Sequence, residues 1–287
     1  MLDKRTKNEF ARAFPKRKTG SHKGDYGKVL LICGSKGMTG AACLAAQAAV
    51  RCGAGLVTVA IPDSLNTIVA IKLTEAMTLP IDDDRKGFLL RENLDEVKRG
   101  IAGKDVVGIG PGLGHQESTK QFVRALYPSI EQPLILDADG LNAFINDREL
   151  MRLRKGNTII TPHEGEFRKL FGDITPSREE AAGSVARDYN MIVVLKGSRT
   201  VVADSGGEIF VNMTGNPGMA TGGTGDCLFG MIAAFVGLGL PLFQAAKFAV
   251  FMHGLSGDIA RDTYGEVSMT ASDLLDSIPH AFLRLSK

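Results

Sequence analysis

Tryptophan is absent from this sequence, tyrosine occurs four times, and aromatic residues make up only 6% of its 287 positions. Neither charge predominates: 34 basic against 32 acidic side chains leave a formal net charge of +2. That balance excludes the basic footprint of a nucleic-acid binder and the cationic face of a membrane-adhering protein. Together with 44% apolar residues it also excludes disorder. Long hydrophobic runs are missing too. The longest, Cys227 to Phe243, falls short of the ~20 residues a spanning helix needs and is interrupted by Gly237, Gly239 and Pro241. Met1 to Lys23 is polar and basic, carries Asp3 and Glu9, and has no apolar core, so it reads neither as a secretory signal nor as a mitochondrial presequence. The four cysteines, Cys33, Cys43, Cys52 and Cys227, form no C-x-x-C pair and each lies in an apolar stretch. They read as small buried thiols of a protein in a reducing cytoplasm.

What the chain does have is glycine, 34 residues of it, which with so few aromatics points to many tight turns close to a small ligand. The pattern alternates short β-rich runs with longer helical ones and shows no linker, low-complexity segment or internal repeat. Strands are expected at Val29–Cys33, Leu56–Ile61, Asp105–Ile109, Pro133–Leu136, Thr158–Thr161 and Met191–Lys196. Helices are expected at Ala41–Cys52, Ser118–Tyr127, Leu141–Ile145, Glu164–Phe171 and Glu179–Tyr189. Continuously apolar strands separated by helices predict a parallel sheet covered on both faces. Thr200–Ala203 and Glu208–Val211, joined by Asp204-Ser-Gly-Gly207, predict a hairpin. Helices over Thr224–Phe235, Phe243–Arg261 and Ala271–Leu283 follow. The reading is one three-layer α/β domain over residues 1–287, with 1–23 a basic lead-in. In such sheets ligands sit beyond the carboxyl ends of the strands, and the sharpest motifs fall there.

Gly222-Gly-Thr-Gly-Asp226 opens the apolar helix that begins near Cys227. A helix N-terminus offers unpaired N–H donors and the positive end of a dipole, and glycines let a phosphate approach the backbone. Asp226 there is placed to take a proton from an attacking hydroxyl, or it simply favours the dipole while Thr224 caps the helix. Eleven small and turn-forming residues, Asn216 to Asp226, are more than a cap requires. Two further glycine loops, Gly34-Ser-Lys-Gly-Met-Thr-Gly40 and Gly110-Pro-Gly-Leu-Gly114, end strands at the same sheet edge. Neither carries a Walker lysine or the G-x-G-x-x-G spacing of a dinucleotide fold. Thr161-Pro-His-Glu-Gly-Glu166 turns His163 toward a cleft and sets Glu166 on a first helical turn, where a carboxylate either complements the dipole or holds a water on Mg²⁺. Asp137-Ala-Asp139 ends another strand and suits Mg²⁺–phosphate work, a ribose hydroxyl or an Asx-type turn. Lys196-Gly-Ser-Arg-Thr200 either neutralises nucleotide phosphates or is a basic hairpin turn.

Six of these segments stand in one order: Gly-Met-Thr-Gly-Ala-Ala (37–42), Gly-Pro-Gly-Leu-Gly (110–114), Asp-Ala-Asp-Gly-Leu-Asn (137–142), Thr-Pro-His-x-Gly-Glu (161–166), Lys-Gly-x-x-Thr (196–200) and the run 216–226. In that order the chain resembles the ADP/ATP-dependent NAD(P)H-hydrate dehydratases, a branch of the ribokinase-like superfamily, from about Lys23 to the final helices. The resemblance implies a ribokinase-like three-layer α/β/α fold with a mostly parallel central sheet. It implies repair of the S epimer of hydrated NADH or NADPH, by phosphorylation of the 6-hydroxyl and loss of phosphate, with Mg²⁺ and ADP or ATP as phosphoryl donor. Carried over by position, Asp226 would be the base, with Gly223, Thr224 and Gly225 stabilising the phosphoryl charge. Ala41, Gly112, His163 and Asp226 would touch the hydrated dinucleotide; Lys196, Gly197, Ser198, Arg199, Thr200 and Gly225 would hold the nucleotide; and Glu166 would organise Mg²⁺ through water. Related vitamin kinases carry Asn-x-x-Glu where this chain has His163-x-x-Glu166. A functional partnership with an NAD(P)H-hydrate epimerase and a homotetrameric assembly are implied as well. The alternatives are a ribokinase-like kinase of a vitamin precursor or sugar, and a nucleotide-sensing module without turnover.

Overall fold

Short apolar runs make the centre of the molecule, and longer segments with one apolar face cover it. The computed structural model describes residues 4–154 and 157–286; the opening Met1 to Asp3 of the lead-in lies outside the described residues. In chain order the first elements are α1 (Lys4–Ala13), β1 (Lys28–Ile32), α2 (Thr39–Arg51), β2 (Leu56–Pro62), α3 (Asp63–Lys72), β3 (Met77–Ile81) and α4 (Leu94–Ile101). The middle holds β4 (Val106–Ile109), α5 (Glu117–Leu126), β5 (Leu134–Leu136), α6 (Asp139–Asn142), β6 (Thr158–Ile160), α7 (Glu164–Phe171), α8 (Arg178–Tyr189) and β7 (Ile192–Leu195). The chain ends with β8 (Val201–Ala203), β9 (Ile209–Val211), α9 (Thr224–Gly237), α10 (Leu242–Tyr264) and α11 (Ala271–Ser286).

The nine strands form one sheet in the order β3-β2-β1-β4-β5-β6-β7-β8-β9. Strands β1 to β7 are parallel, and the β8–β9 hairpin adds two antiparallel strands at one edge. Side chains alternate across the strands. Val29 and Leu31 of β1 therefore face α2, α9, α10 and α11, while Leu30 and Ile32 face the layer of α4, α5, α7 and α8. This is the three-layer, mostly parallel arrangement the sequence predicts. Four elements went unpredicted: α1, inside the basic lead-in, and α3, β3 and α4. Helix α1 is held by Phe10, which stacks on Phe14 at 4.7 Å and meets Phe248 edge-on at 5.2 Å.

Strand order fixes where a ligand can sit. The chain builds outward from β1 through β2 to β3 and then restarts on the other side of β1 with β4. Connections after β1 and after β4 thus leave on opposite faces, α2 on one and α5 on the other, opening a crevice beyond their carboxyl ends. The two glycine loops lie there.

Helices α2 and α9 approach unusually closely on one face because small residues line both. A methyl group added to Gly230 of α9 would stand 2.0 Å from the carbonyl oxygen of Ala45 in α2. Alanine is the better helix former by about 1 kcal/mol, but no side chain can move aside to relieve a backbone clash. Overpacking of this kind costs about 1–3 kcal/mol or more, so the steric term wins. Gly230→Ala is expected to lower stability by about 2 kcal/mol in urea unfolding; a variant as stable as the parent would show that the two helices are not in this contact.

Candidate active site

The crevice is closed by backbone hydrogen bonds between its two glycine loops. Gly34 N donates to Pro111 O at 2.8 Å, and Gly110 N to Ile32 O at 3.1 Å. Gly112 is buried at φ +67°, and a methyl group there would lie 3.0 Å from Met38 Cβ and 3.1 Å from Ala41 Cβ. Its part is to let the β4 loop seat against the start of α2, where Ala41 remains partly exposed.

Asp226 lies in the first turn of α9, partly exposed rather than packed inside. The helix begins at Gly223, whose φ of +95° suits glycine, and no side chain of the described residues caps it. Thr224, the cap offered by the sequence, donates its hydroxyl instead to the carbonyls of Met219 (2.9 Å) and Thr221 (3.0 Å). First-turn amides of a helix have no intrahelical acceptor, so this end is left open to an anion. Burial, then the charge of Asp137, with Asp139 adding and Lys196 opposing, raises the Asp226 carboxyl to a pKa of about 6. A carboxylate so poised is a proton acceptor near neutral pH.

Lys196 comes to the same place from the end of β7. Its Nζ donates to Asp137 Oδ1 at 2.5 Å and lies 3.7 Å from where a Gly225 side chain would begin. Burial alone would lower the pKa of this ammonium, but Asp137 and Glu166, with Asp226 beyond, hold it above its ordinary value and keep it charged. The turn after it is tight: Thr200 Oγ1 donates to Gly197 O at 2.9 Å, and Gly197, Ser198 and Arg199 are exposed.

His163 and Glu166 form a capping box on α7. Glu166 N donates to His163 Nδ1 at 3.2 Å and His163 N to Glu166 Oε2 at 2.8 Å. His163 is 59% exposed at the cleft rim, whereas Glu166 is 7% exposed beneath it. Burial raises the Glu166 carboxyl above its ordinary value, Asp137 adding and Lys196 opposing. Asp139 is taken up by the neighbouring loop, accepting from Gly114 N at 2.9 Å, while Asp137 pairs with Lys196. Among the described residues no three His, Cys, Asp or Glu side chains form a metal cage. All four cysteines are buried; burial first and the Asp226 charge second push the Cys227 thiol up, so it is a small core side chain and not a nucleophile.

Several residues of this arrangement carried no sequence signal. Arg178 donates to the carbonyls of Leu195 (2.8 Å) and Lys196 (3.1 Å) and pairs with Glu164, so it ties the Lys196 turn to α7. Asp258 of α10 accepts from Gly215 N at 3.0 Å and Asn216 Nδ2 at 3.1 Å, which anchors the start of the 216–226 run. His253, also on α10, meets Thr224 at the other end of that run. Phe88, in the loop after β3, lies over Gly114. Only the pairing across space reveals them.

The profile of a family described as NAD(P)H-hydrate dehydratase matches residues 29–280. The bifunctional NAD(P)H-hydrate repair enzyme of Moorella thermoacetica is 42% identical over 277 residues, covering 95% of this chain and 52% of that one. The chain therefore spans about half the length of the curated relatives it matches. Among solved structures, an ADP/ATP-dependent NAD(P)H-hydrate dehydratase from Bacillus subtilis, co-crystallised with ATP and Mg²⁺, superposes with TM-score 0.81 at 30% identity over 97% of both chains. A ribokinase-like superfamily protein from Enterococcus faecalis gives TM-score 0.84 at 27% identity, over 97% of this chain and 94% of its own.

The raised Asp226 pKa has a consequence for stability. The fold binds this proton more tightly than the unfolded chain, so ionisation costs nothing below about pH 4, progressively more up to about pH 6, and the full penalty above it. Asp226→Asn removes that penalty. Thermal or urea unfolding near pH 8 is expected to show the variant stabilised by up to about 3 kcal/mol, with the gain gone below about pH 4. Equal stability of the two proteins near pH 8 would mean that Asp226 is solvated like any surface carboxylate.

Proposed function

The chain belongs to the NAD(P)H-hydrate dehydratase family, and from that premise we propose that it returns the S epimer of hydrated NADH or NADPH to NADH or NADPH at the expense of ADP or ATP. The observation that carries this reading is Asp226, a half-desolvated carboxylate at an uncapped, glycine-led helix start with Lys196 beside it. Hydroxide is a poor leaving group, so the 6-hydroxyl is first phosphorylated. Asp226 accepts the hydroxyl proton as that oxygen attacks the terminal phosphorus and the bond to the bridging oxygen breaks, releasing AMP from ADP or ADP from ATP. The amides of Gly223, Thr224 and Gly225, with the Lys196 ammonium, hold the charge that spreads over the transferred oxygens. The ring nitrogen then pushes out phosphate as the C6–O bond breaks, and loss of a proton from C5 restores the dihydropyridine.

The other residues bind and orient. Ala41, the Gly112 loop and His163 would take the dinucleotide, and Lys196 to Thr200 with Gly225 the nucleotide; the contact of Ala41 with Gly112 and the pairing of His163 with Lys196 support this division of the cleft. Asp137, Glu166 and Asp226 surround one ammonium, an excess of negative charge that suits a divalent cation. The lack of a three-residue cage among the described residues suits Mg²⁺ as it usually binds phosphates, keeping its waters and taking few protein ligands. Glu166 is the carboxylate to reach it through water, and Mg²⁺ there supplies neutralisation of phosphate charge. Because the Moorella relative is named bifunctional and is about twice as long, an epimerase, fused or separate, is the functional partner that would supply the S epimer. No helix among the described residues is long and apolar enough to cross a membrane, which accords with a cytoplasmic site of action; sedimentation would test the expected homotetramer.

The test is direct. Incubated with hydrated NADH, ADP and Mg²⁺, the protein is expected to raise the near-ultraviolet absorbance of reduced nicotinamide. Asp226→Asn should reduce the rate by about 10²–10⁴-fold, and the wild-type rate should climb with pH through about 6 and then level off, as the base loses its proton. Stable phosphorylation of an alcohol without NADH would instead make it a kinase, and nucleotide binding without turnover a sensor.

A further inference from the structure

Helix α10 lies along the whole 212–224 segment. Besides Asp258, its carbonyls of Val250 and Phe251 accept from Asn212 and Thr214. One contact is of another kind. His253 Nε2 stands 2.8 Å from the carbonyl oxygen of Thr224. A carbonyl only accepts, so Nε2 carries hydrogen and the ring donates. His22, His115, His163 and His280 are exposed; His253 is the only one of the five that is largely, though not wholly, covered. Burial pulls its pKa down to about 4, the bond to Thr224 opposing and the Lys196 charge adding to the fall, so the ring is neutral at physiological pH.

The Thr224 carbonyl and the Gly225 N–H are two ends of one peptide unit. The helical ladder already offers that carbonyl the N–H of Leu228, so the imidazole is an additional donor and not a rescue of an orphaned group. A donor on the oxygen draws electron density toward it and makes the N–H at the far end of the unit a stronger donor in turn. That N–H belongs to the uncapped first turn, in the residue whose Cβ direction Lys196 Nζ faces. We propose that His253 is a positioning residue for phosphoryl transfer: as the neutral Nε2–H tautomer it fixes the Thr224–Gly225 peptide and strengthens the Gly225 amide as a donor to the transferred phosphoryl group. The inference rests on the reading of Asp226 and the α9 amides as the reacting centre.

Two variants separate this role from packing. His253→Gln keeps a donor nitrogen at similar reach; His253→Leu keeps bulk and loses the donor. Losing a whole anion-hole donor costs about 10²–10³ in kcat, so weakening one is expected to cost about tenfold in His253→Leu, with KM for ADP and hydrated NADH changed less than threefold and His253→Gln restoring most of the rate. The ¹⁵N–¹H signal of Gly225 reads the same effect without turnover: downfield in wild type and His253→Gln, shifted upfield in His253→Leu. Wild-type kcat and an unmoved Gly225 signal in His253→Leu would overturn the proposal, as would Gln and Leu variants equally slow with KM raised in proportion. Should the Leu variant fail to fold, the wild-type imidazole ¹⁵N spectrum decides, since an Nδ1–H tautomer is incompatible with the proposal. If wild type and Asp226→Asn are alike inactive, the catalytic reading falls, while the Gly225 signal still tests the histidine.

Discussion

One ammonium holds three carboxylates. Lys196 is bonded to Asp137, and Glu166 and Asp226 lie within its electrostatic reach. Burying carboxylates together is costly unless a cation stands among them, and here a single cation serves for three. Burial first and the Asp137 charge second, only partly offset by Lys196, hold the Asp226 proton to near neutrality. Remove the lysine, and neither the burial of Asp137 and Glu166 nor the poise of Asp226 would stand in its present form.

The scaffold around this cluster is divided by function. The glycine loops after β1 and β4 meet at the switch point of the sheet and shape the crevice. The turn after β7 brings the lysine, braced from behind by Arg178. The helix that carries Asp226 is positioned from outside by α10, through Asp258 at the start of the 216–226 run and His253 at its end. Backbone of low intrinsic order is thus fixed at both ends by a rigid helix, which gives amides the preorganisation that electrostatic stabilisation requires.

Much of this was legible from residue patterns. The strands at β1, β2 and β4 to β7 announced themselves as continuous apolar runs, and each glycine-rich or acidic motif falls at a strand's carboxyl end as expected. Helix α7 spans Glu164–Phe171 as the sequence predicts, but its capping box between His163 and Glu166 was not foreseen. What escaped had weak local signals. Strand β3 contains Pro80 and is only partly buried, because it is the sheet's edge. Helix α3 sets only Leu65 and Val69 into the core, and α1 owes its place to aromatic contacts with the far end of the chain. Pairings such as Lys196 with Asp137, 59 residues apart, or His253 with Thr224, 29 apart, have no local signature at all. They follow from the order of strands, and only folding brings them together.

The rim of the crevice is not built by adjacent strands alone. Lys36, inside the first glycine loop, donates its backbone N–H to Gly87 (2.8 Å), in the loop that returns from the outermost strand. That loop is itself gathered around the buried Asp83, which accepts from Ser64 and from Gly87. Fraying at the sheet's margin would therefore be felt at the mouth of the crevice, two strands inward, before the centre of the sheet had loosened.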